Sequence, residues 1–209
     1  SVLVLHRNGQ AYILLGNESL RMAPYCRITA EAIHVPHFSL PNQPMDTNRP
    51  FADLIASSGI RPGSSVGIVG WKMFTSALED NHQLYDVPSF IVDAVRALVG
   101  GSGFGRNASD LFIGPDKGAR VIHNANEIAH YEFGASLASA CILKALNTIE
   151  LGRTELEIAD KLAAYGQPTH VQTICATGDR FTNAVVAPRH KKVALGDKFS
   201  ITMGLRGGL

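Results

Sequence analysis

Asp179, Arg180 and Asn183 fall close together in a polar, irregular stretch, residues 178–190, that ends on His190. A carboxylate beside a guanidinium can hold a polar substrate, and the same two groups can instead form a local ion pair at a turn. Asn183 can orient a substrate amide or cap the turn. His190 is the side chain of this stretch best suited to moving a proton near neutral pH. It lies past Pro188 and beside Lys191 and Lys192, so a rearranged loop would have to carry it to a substrate; the competing reading is a solvent-exposed histidine. Downstream, residues 198–203 alternate as a strand, with Phe199 and Ile201 on one face and Ser200 and Thr202 on the other.

Other reactive residue types are less organised. Cys26, Cys141 and Cys175 are odd in number and follow no CxxC spacing, which makes neither a disulfide framework nor a zinc knuckle. Cys141 falls in an apolar helical stretch and Cys175 in an apolar strand, so both read as small buried hydrophobes rather than nucleophiles. Residues 100–105 hold four glycines, but no Gly-Lys-Ser/Thr follows at a helix start; the segment reads as a flexible loop, not a phosphate loop. His34 and His37 flank Pro36 without metal-ligand spacing and read as surface or loop histidines. Trp71 and Lys72 follow a short apolar strand, residues 66–70. An aromatic and a cation at a strand end can face a ligand cleft, or Trp71 can pack between domains.

The elements that must position these residues follow from periodicity. Two apolar runs around Asn8-Gly9 predict a hairpin. Residues 36–50 are rich in Pro and Asn and read as a loop. Residues 51–58 suit a short helix stopped by Gly59. Residues 89–99 carry Phe90, Val92, Val95, Leu98 and Val99 at helical spacing. An ordered pattern resumes over residues 109–113, and residues 115–124 look like a linker. Beyond it Ile128, Tyr131, Ala135, Ala138, Ile142, Ala145 and Ile149 form one apolar stripe on a long helix. Thr154 and Glu157 make a capping box. It opens a helix from Glu155 to about Tyr165 that buries Leu156, Ile158, Ala159, Leu162 and Ala163. Residues 171–176 read as a strand, and Gly196-Asp197 as the turn before the last one.

The chain has 209 residues, 45% of them hydrophobic, with 19 Lys+Arg against 18 Asp+Glu. That is enough to bury a core. A net charge of +1 leaves no electrostatic footprint for nucleic acid or an anionic membrane. No apolar run reaches spanning length, and the first residues lack a signal-peptide pattern. The expectation is a soluble, cytoplasmic protein without nucleic-acid or membrane partners.

Three local matches then give a resemblance. Asn126-Glu127-Ile128 opens an Ala-rich helix; Leu151-Gly152-Arg153-Thr154-Glu155-Leu156-Glu157-Ile158-Ala159 forms an elbow; Leu195-Gly196-Asp197-Lys198-Phe199-Ser200-Ile201-Thr202-Met203-Gly204 forms a final strand. In this order the three resemble the creatinase, aminopeptidase P and methionine aminopeptidase superfamily, whose catalytic domain is the pita-bread fold. The resemblance implies an α/β (α+β) chain. A creatinase-like N-terminal α/β domain, residues 1–120, would be followed by the first, incomplete half of a pita-bread domain, residues 124–209.

The resemblance also carries chemistry. It places residues 178–183 in the loop that lines the substrate cleft of the family, which implies Asp179, Arg180 and Asn183 as candidate substrate-binding residues and His190 and Asn183 as candidate catalytic ones. Metal-dependent relatives hold two divalent ions between carboxylates and a histidine, which activates a bound water and polarises the scissile carbonyl. Thr202 stands where the first metal-binding Asp is expected, and a neutral hydroxyl is a poor replacement for a bridging carboxylate. Val185 stands where relatives place a catalytic His, three residues before Pro188. No metal cofactor is therefore expected. The implied function is a hydrolase acting on C–N bonds of a small amide, amidine or peptide-like substrate without the dinuclear centre. One alternative is a non-catalytic peptide- or protein-binding pseudoenzyme; another is an Xaa-Pro-type metallopeptidase with a rearranged metal site. The expected partners are the small-molecule or peptide substrate, a second copy in a homo-oligomer, and a second chain completing the catalytic domain after Gly207-Gly208-Leu209, as in a cleaved precursor.

Overall fold

The structure is a computed structural model, and it describes residues 1–45, 49–100, 105–162, 165–183 and 186–205. Val185, Ala163, the centre of the glycine-rich loop and Gly207-Gly208-Leu209 lie outside the described residues. The chain divides into two compact units, Ser1–Ile122 and His123–Leu209.

In the first unit the Asn8-Gly9 turn forms as the sequence predicts. Gly9 takes a positive φ of 88°, which glycine adopts without a Cβ penalty. Strands β1 (Val2–Leu5) and β2 (Ala11–Leu15) pair antiparallel, Val2 opposite Leu14 and Leu5 opposite Ala11. The chain then passes through a short helix, α1 (Asn17–Leu20), and returns as β3 (Glu31–His34), parallel to β2. Helices α2 (Phe51–Ala56) and α3 (Ser89–Val99) supply the other half of the core. Leu14 and Val35 pack there with Leu54, Ile55, Val92, Val95 and Val99. A further short helix, α4 (Asp110–Ile113), follows.

Two expectations for this unit are corrected. Residues 66–70 do not make a strand; Ile68 forms one parallel bridge to Asn107, and Val69 is exposed. On α3 the buried positions are Ile91, Val92, Ala94, Val95 and Val99, while Phe90 lies at the margin, 5.0 Å from the Phe51 ring. His34 is a surface histidine, as expected; it is exposed on strand β3, and its Nε2 lies 2.7 Å from Asn17 Oδ1.

The second unit opens with α5 (Ala125–Leu146). Its start is fixed by a reciprocal capping box: Asn124 Oδ1 accepts from the N–H groups of Asn126 and Glu127, and Glu127 accepts from Asn124 N–H. The expected stripe is only half buried. Cys141 and Ala145 are enclosed and Ile142 packs beside them, but Ile128 and Tyr131 are exposed. Among the described residues no helix is long and apolar enough to cross a membrane.

Helix α6 (Glu155–Ala159) follows the expected Thr154/Glu157 box but is short, passing into a 3-10 turn at Asp160–Leu162. Its buried face is Glu155, Ile158, Ala159 and Leu162; Leu156 points away and is 38% exposed. Glu155, Ile158, Ala159 and Leu162 stand at i, i+3, i+4 and i+7 along one face, and Leu156, one position after Glu155, lies about 100° round the helix from it. Strand β4 (Ile174–Thr177) starts later than the expected 171–176. It pairs antiparallel with β5 (Phe199–Thr202), Ile174 opposite Thr202 and Thr177 opposite Phe199. Phe199 and Ile201 pack on Ile158, Leu162 and Cys175, as the alternation predicts.

The face assignment on α6 is testable by equilibrium urea unfolding. Ile158→Ala should cost about 2–5 kcal/mol, as expected for a fully buried aliphatic side chain. Leu156→Ala should stay within about 0.5 kcal/mol of the parent, as for an exposed position.

Candidate functional site

The polar residues of the second unit gather where the start of α6 meets the end of β4. Thr154 ends one strand-like passage by bridging to Lys192, and Glu155 N–H donates to Lys191 C=O at 3.0 Å. Gly152 N–H to Val193 C=O (2.9 Å) and Val193 N–H to Arg153 C=O (2.8 Å) extend the same pairing. The capping box then aims the first turn of α6. Thr154 N–H and Thr154 Oγ1–H both donate to Glu157 Oε2 at 2.8 Å, and Glu157 N–H donates to Thr154 Oγ1 at 3.2 Å. These bonds hold the Glu157 carboxyl below the usual carboxylate range.

With Glu157 occupied at the cap, its neighbour two positions back is turned into the core. Glu155 is fully buried. Its Oε1 accepts from Thr177 N–H at 2.8 Å and from Thr177 Oγ1–H at 3.3 Å. Its Oε2 accepts from Arg189 N–H at 2.9 Å and forms an ion pair with Arg180 Nη1. Arg180 also donates through Nη2 to Ala187 C=O at 2.8 Å. A buried carboxylate is tolerated only when its charge is paired and its lone pairs are filled, and both conditions are met.

A second acid–base pair lies beside the first. Lys191 Nζ donates to Thr177 Oγ1 and to Asp197 Oδ2, each at 3.0 Å, with Asp179 Oδ1 at 3.9 Å. Asp197 Oδ2 accepts as well from Ala194 N–H at 2.9 Å; this bond and then the Lys191 ammonium lower the Asp197 pKa. Gly178 makes the close approach feasible. It has a φ of +59°, and a Cβ there would lie 2.5 Å from Asp197 Oδ1 and 2.8 Å from Lys191 Nζ.

The sequence candidates are distributed unevenly around this network. Asp179 and Arg180 share the 3-10 turn Gly178–Asn183, and so does Asn183. Asp179 faces outward, with its side chain 87% exposed. Arg180 faces inward, 18% exposed, and its ionic partner is Glu155 rather than the neighbouring Asp179. His190 is exposed, and Thr202 is exposed at the end of β5. Two residues after Thr202 comes Gly204, whose backbone lies against the His170 ring and whose C=O accepts from His170 N–H at 3.2 Å. Cys175, on the buried strand, accepts no catalytic role: burial pushes its thiol up to about 11, away from the reactive thiolate. In the first unit Trp71 and Lys72 do not end a strand. Their N–H groups both donate to Asp86 Oδ2, at 2.9 and 3.0 Å, and Trp71 is 81% exposed.

Glu155, Thr177, Lys191, Asp197 and His170 were not singled out by their chemistry in the sequence. One signal for Glu155 was present: it lies three and four positions before Ile158 and Ala159, on the buried side of its helix. A charged residue on an apolar face asks for a partner, and the search would lead to Arg180.

Comparison with known proteins gives a fold and no sequence family. No protein-family model matches the chain, and no curated protein matches it in sequence. Solved structures do match. The prolidase from Pyrococcus furiosus aligns over 98% of the chain with a TM-score of 0.67 at 15% identity, using 55% of its own length. The fold is that of the prolidases. The Xaa-Pro dipeptidase from Bacillus anthracis aligns over 97% of the chain with a TM-score of 0.64 at 16% identity, using 50% of its own length. Dipeptidase PepE from Mycobacterium ulcerans aligns over 97% with a TM-score of 0.63 at 16% identity, using 48% of its length. The chain thus spans about half the length of the solved structures it matches. The expected mixed α/β architecture of pita-bread type holds at the level of the fold.

The network makes two predictions. Arg180→Met leaves the buried Glu155 charge without its ionic partner and should cost about 3–5 kcal/mol in chemical denaturation. Asp197 acts through its lowered pKa. Such a group contributes stability that is fully present above the unfolded Asp value, about 3.9, and lost as pH falls through the lower folded value. Asp197→Asn should therefore flatten the acid limb of a melting-temperature-against-pH profile below about pH 4.

Proposed function

We propose that the chain is part of a peptidase-like hydrolase that cleaves C–N bonds in a small amide, amidine or peptide-like substrate without the dinuclear metal centre of its metal-dependent relatives. The observation that carries the reading is the prolidase-type fold over nearly the whole chain. Xaa-Pro dipeptides, after which one of these neighbours is named, fall within the class.

The donor set supports the metal-independent form. Thr202 offers a neutral hydroxyl at the position where the resemblance calls for a carboxylate. Asp197, the nearest acid in sequence, already serves Lys191 and Ala194 N–H. A neutral hydroxyl at Thr202 does not fit a ligand of a dinuclear centre, and no step of the reaction is drawn through one.

In this reading the outward-facing Asp179 takes a cationic or amide N–H group of the substrate. His190 accepts the proton of an attacking water and returns it to the leaving nitrogen, so the C–N bond breaks as a C–O bond forms. Arg180, held by Glu155, shapes the turn from beneath.

The test is hydrolysis of a panel of Xaa-Pro dipeptides and small amides by the purified protein, with and without a chelator, alongside metal analysis. Turnover unchanged by the chelator is expected, with His190→Ala lowering kcat by about 100-fold or more, the usual contribution of a general base. About two bound ions per chain, with activity lost to the chelator, would sink the metal-independent reading. Saturable peptide binding without any turnover would instead establish the binding-module alternative.

A further inference from the structure

We infer that Glu155 is the positioning residue of the candidate site: its one buried carboxylate ties the Gly178–Arg180 turn to the Arg189–Lys191 return and so sets where Asp179 and His190 stand. The inference rests on the proposed site for its purpose, but not for its geometry. Each oxygen has a separate task. Oε1 holds the end of β4 through Thr177 N–H and Oγ1–H. Oε2 joins the two sides of the passage, taking Arg180 Nη1 from the outgoing side and Arg189 N–H from the returning side. Arg180 repeats the link by donating to Ala187 C=O.

The immediate neighbours of the tie are the site candidates. Asp179 adjoins Arg180, and His190 adjoins Arg189. Both are exposed, whereas the residues beside them in sequence are held from below. The Lys191–Asp197 pair adds a second fixed point, because Lys191 Nζ also reaches the Thr177 hydroxyl. A carboxylate is the only side chain that fills this role. It presents acceptors alone, and every group around it is a donor. A glutamine of the same length would bring an N–H₂ group against N–H donors.

The test uses Glu155→Gln in the full chain, read by amide hydrogen exchange and by the imidazole NMR signal of His190. Loss of one acceptor is worth about a tenfold change. Exchange at Thr177 and Arg189 should therefore rise by about tenfold or more, and the His190 signal should shift, while α5 amides keep their protection. Ile158→Ala is the control, since it loosens the same helix without touching the carboxylate. If it reproduces the same pattern, Glu155 is merely structural and the inference is overturned; parent-like exchange in Glu155→Gln overturns it equally. Glu155→Gln with Arg180→Met removes both buried charges together. It should fold and show the same local loosening, whereas failure to fold would assign the pair to folding instead. None of these readouts requires turnover, so a protein without hydrolase activity would defeat the proposed function while leaving the tie to be judged by exchange.

Discussion

Burying the charge of Glu155 is the constraint around which the second unit is arranged. A carboxylate removed from water carries a desolvation penalty of several kcal/mol even after relaxation. It is offset here by a guanidinium and two backbone N–H groups drawn from three separate places in the chain, with the Thr177 hydroxyl as a further donor. None of those donors lies near Glu155 in sequence. The requirement to satisfy one acid therefore specifies how the end of β4, the following turn and the returning segment come together.

That arrangement depends on the capping box one residue earlier. Thr154 and Glu157 close on each other at the surface, which fixes the direction of the first turn of α6. The apolar positions Ile158, Ala159 and Leu162 then anchor the helix against Cys175 and β5. Once those contacts form, Glu155 has no route to solvent. The Lys191–Asp197 pair works differently. It lies nearer the surface, and the Ala194 N–H and the lysine together keep Asp197 ionised at pH values where an ordinary aspartate begins to protonate. One acid is held by burial and the other by a turn, and Thr177 touches both systems through Glu155 and Lys191.

The positions legible in sequence were those governed by local rules. The Asn8-Gly9 hairpin, the Ser89–Val99 helix and the Thr154/Glu157 capping box follow from turn chemistry and from repeats of three and four residues. The three motifs between Asn126 and Gly204 carried the resemblance, and the prolidase-type fold agrees with it. Readings that relied on apolar character alone were less secure. Residues 66–70 are apolar enough for a strand, yet only Ile68 finds a partner. The long stripe on α5 is continuous in sequence, but it is buried only where α6 and the short sheet reach it. Periodicity states which face is apolar, not how much of that face another element covers.

The sequence by itself determined the α/β order of elements, the cap that starts α6, and the alternation that sets Ser200 and Thr202 on one face of the last strand. These are properties of residue types at short spacing, and the energies that enforce them act within a few residues. Tertiary structure alone decided the partners. Arg180 could pair with Asp179 beside it, but it pairs with Glu155, 25 residues away, because a buried charge gains far more from an ion pair than an exposed one screened by water. Lys191 and Thr177 joined the site for the same reason: their hydrogen bonds exist only after long-range packing brings their donors to the acceptors that burial left in need of them.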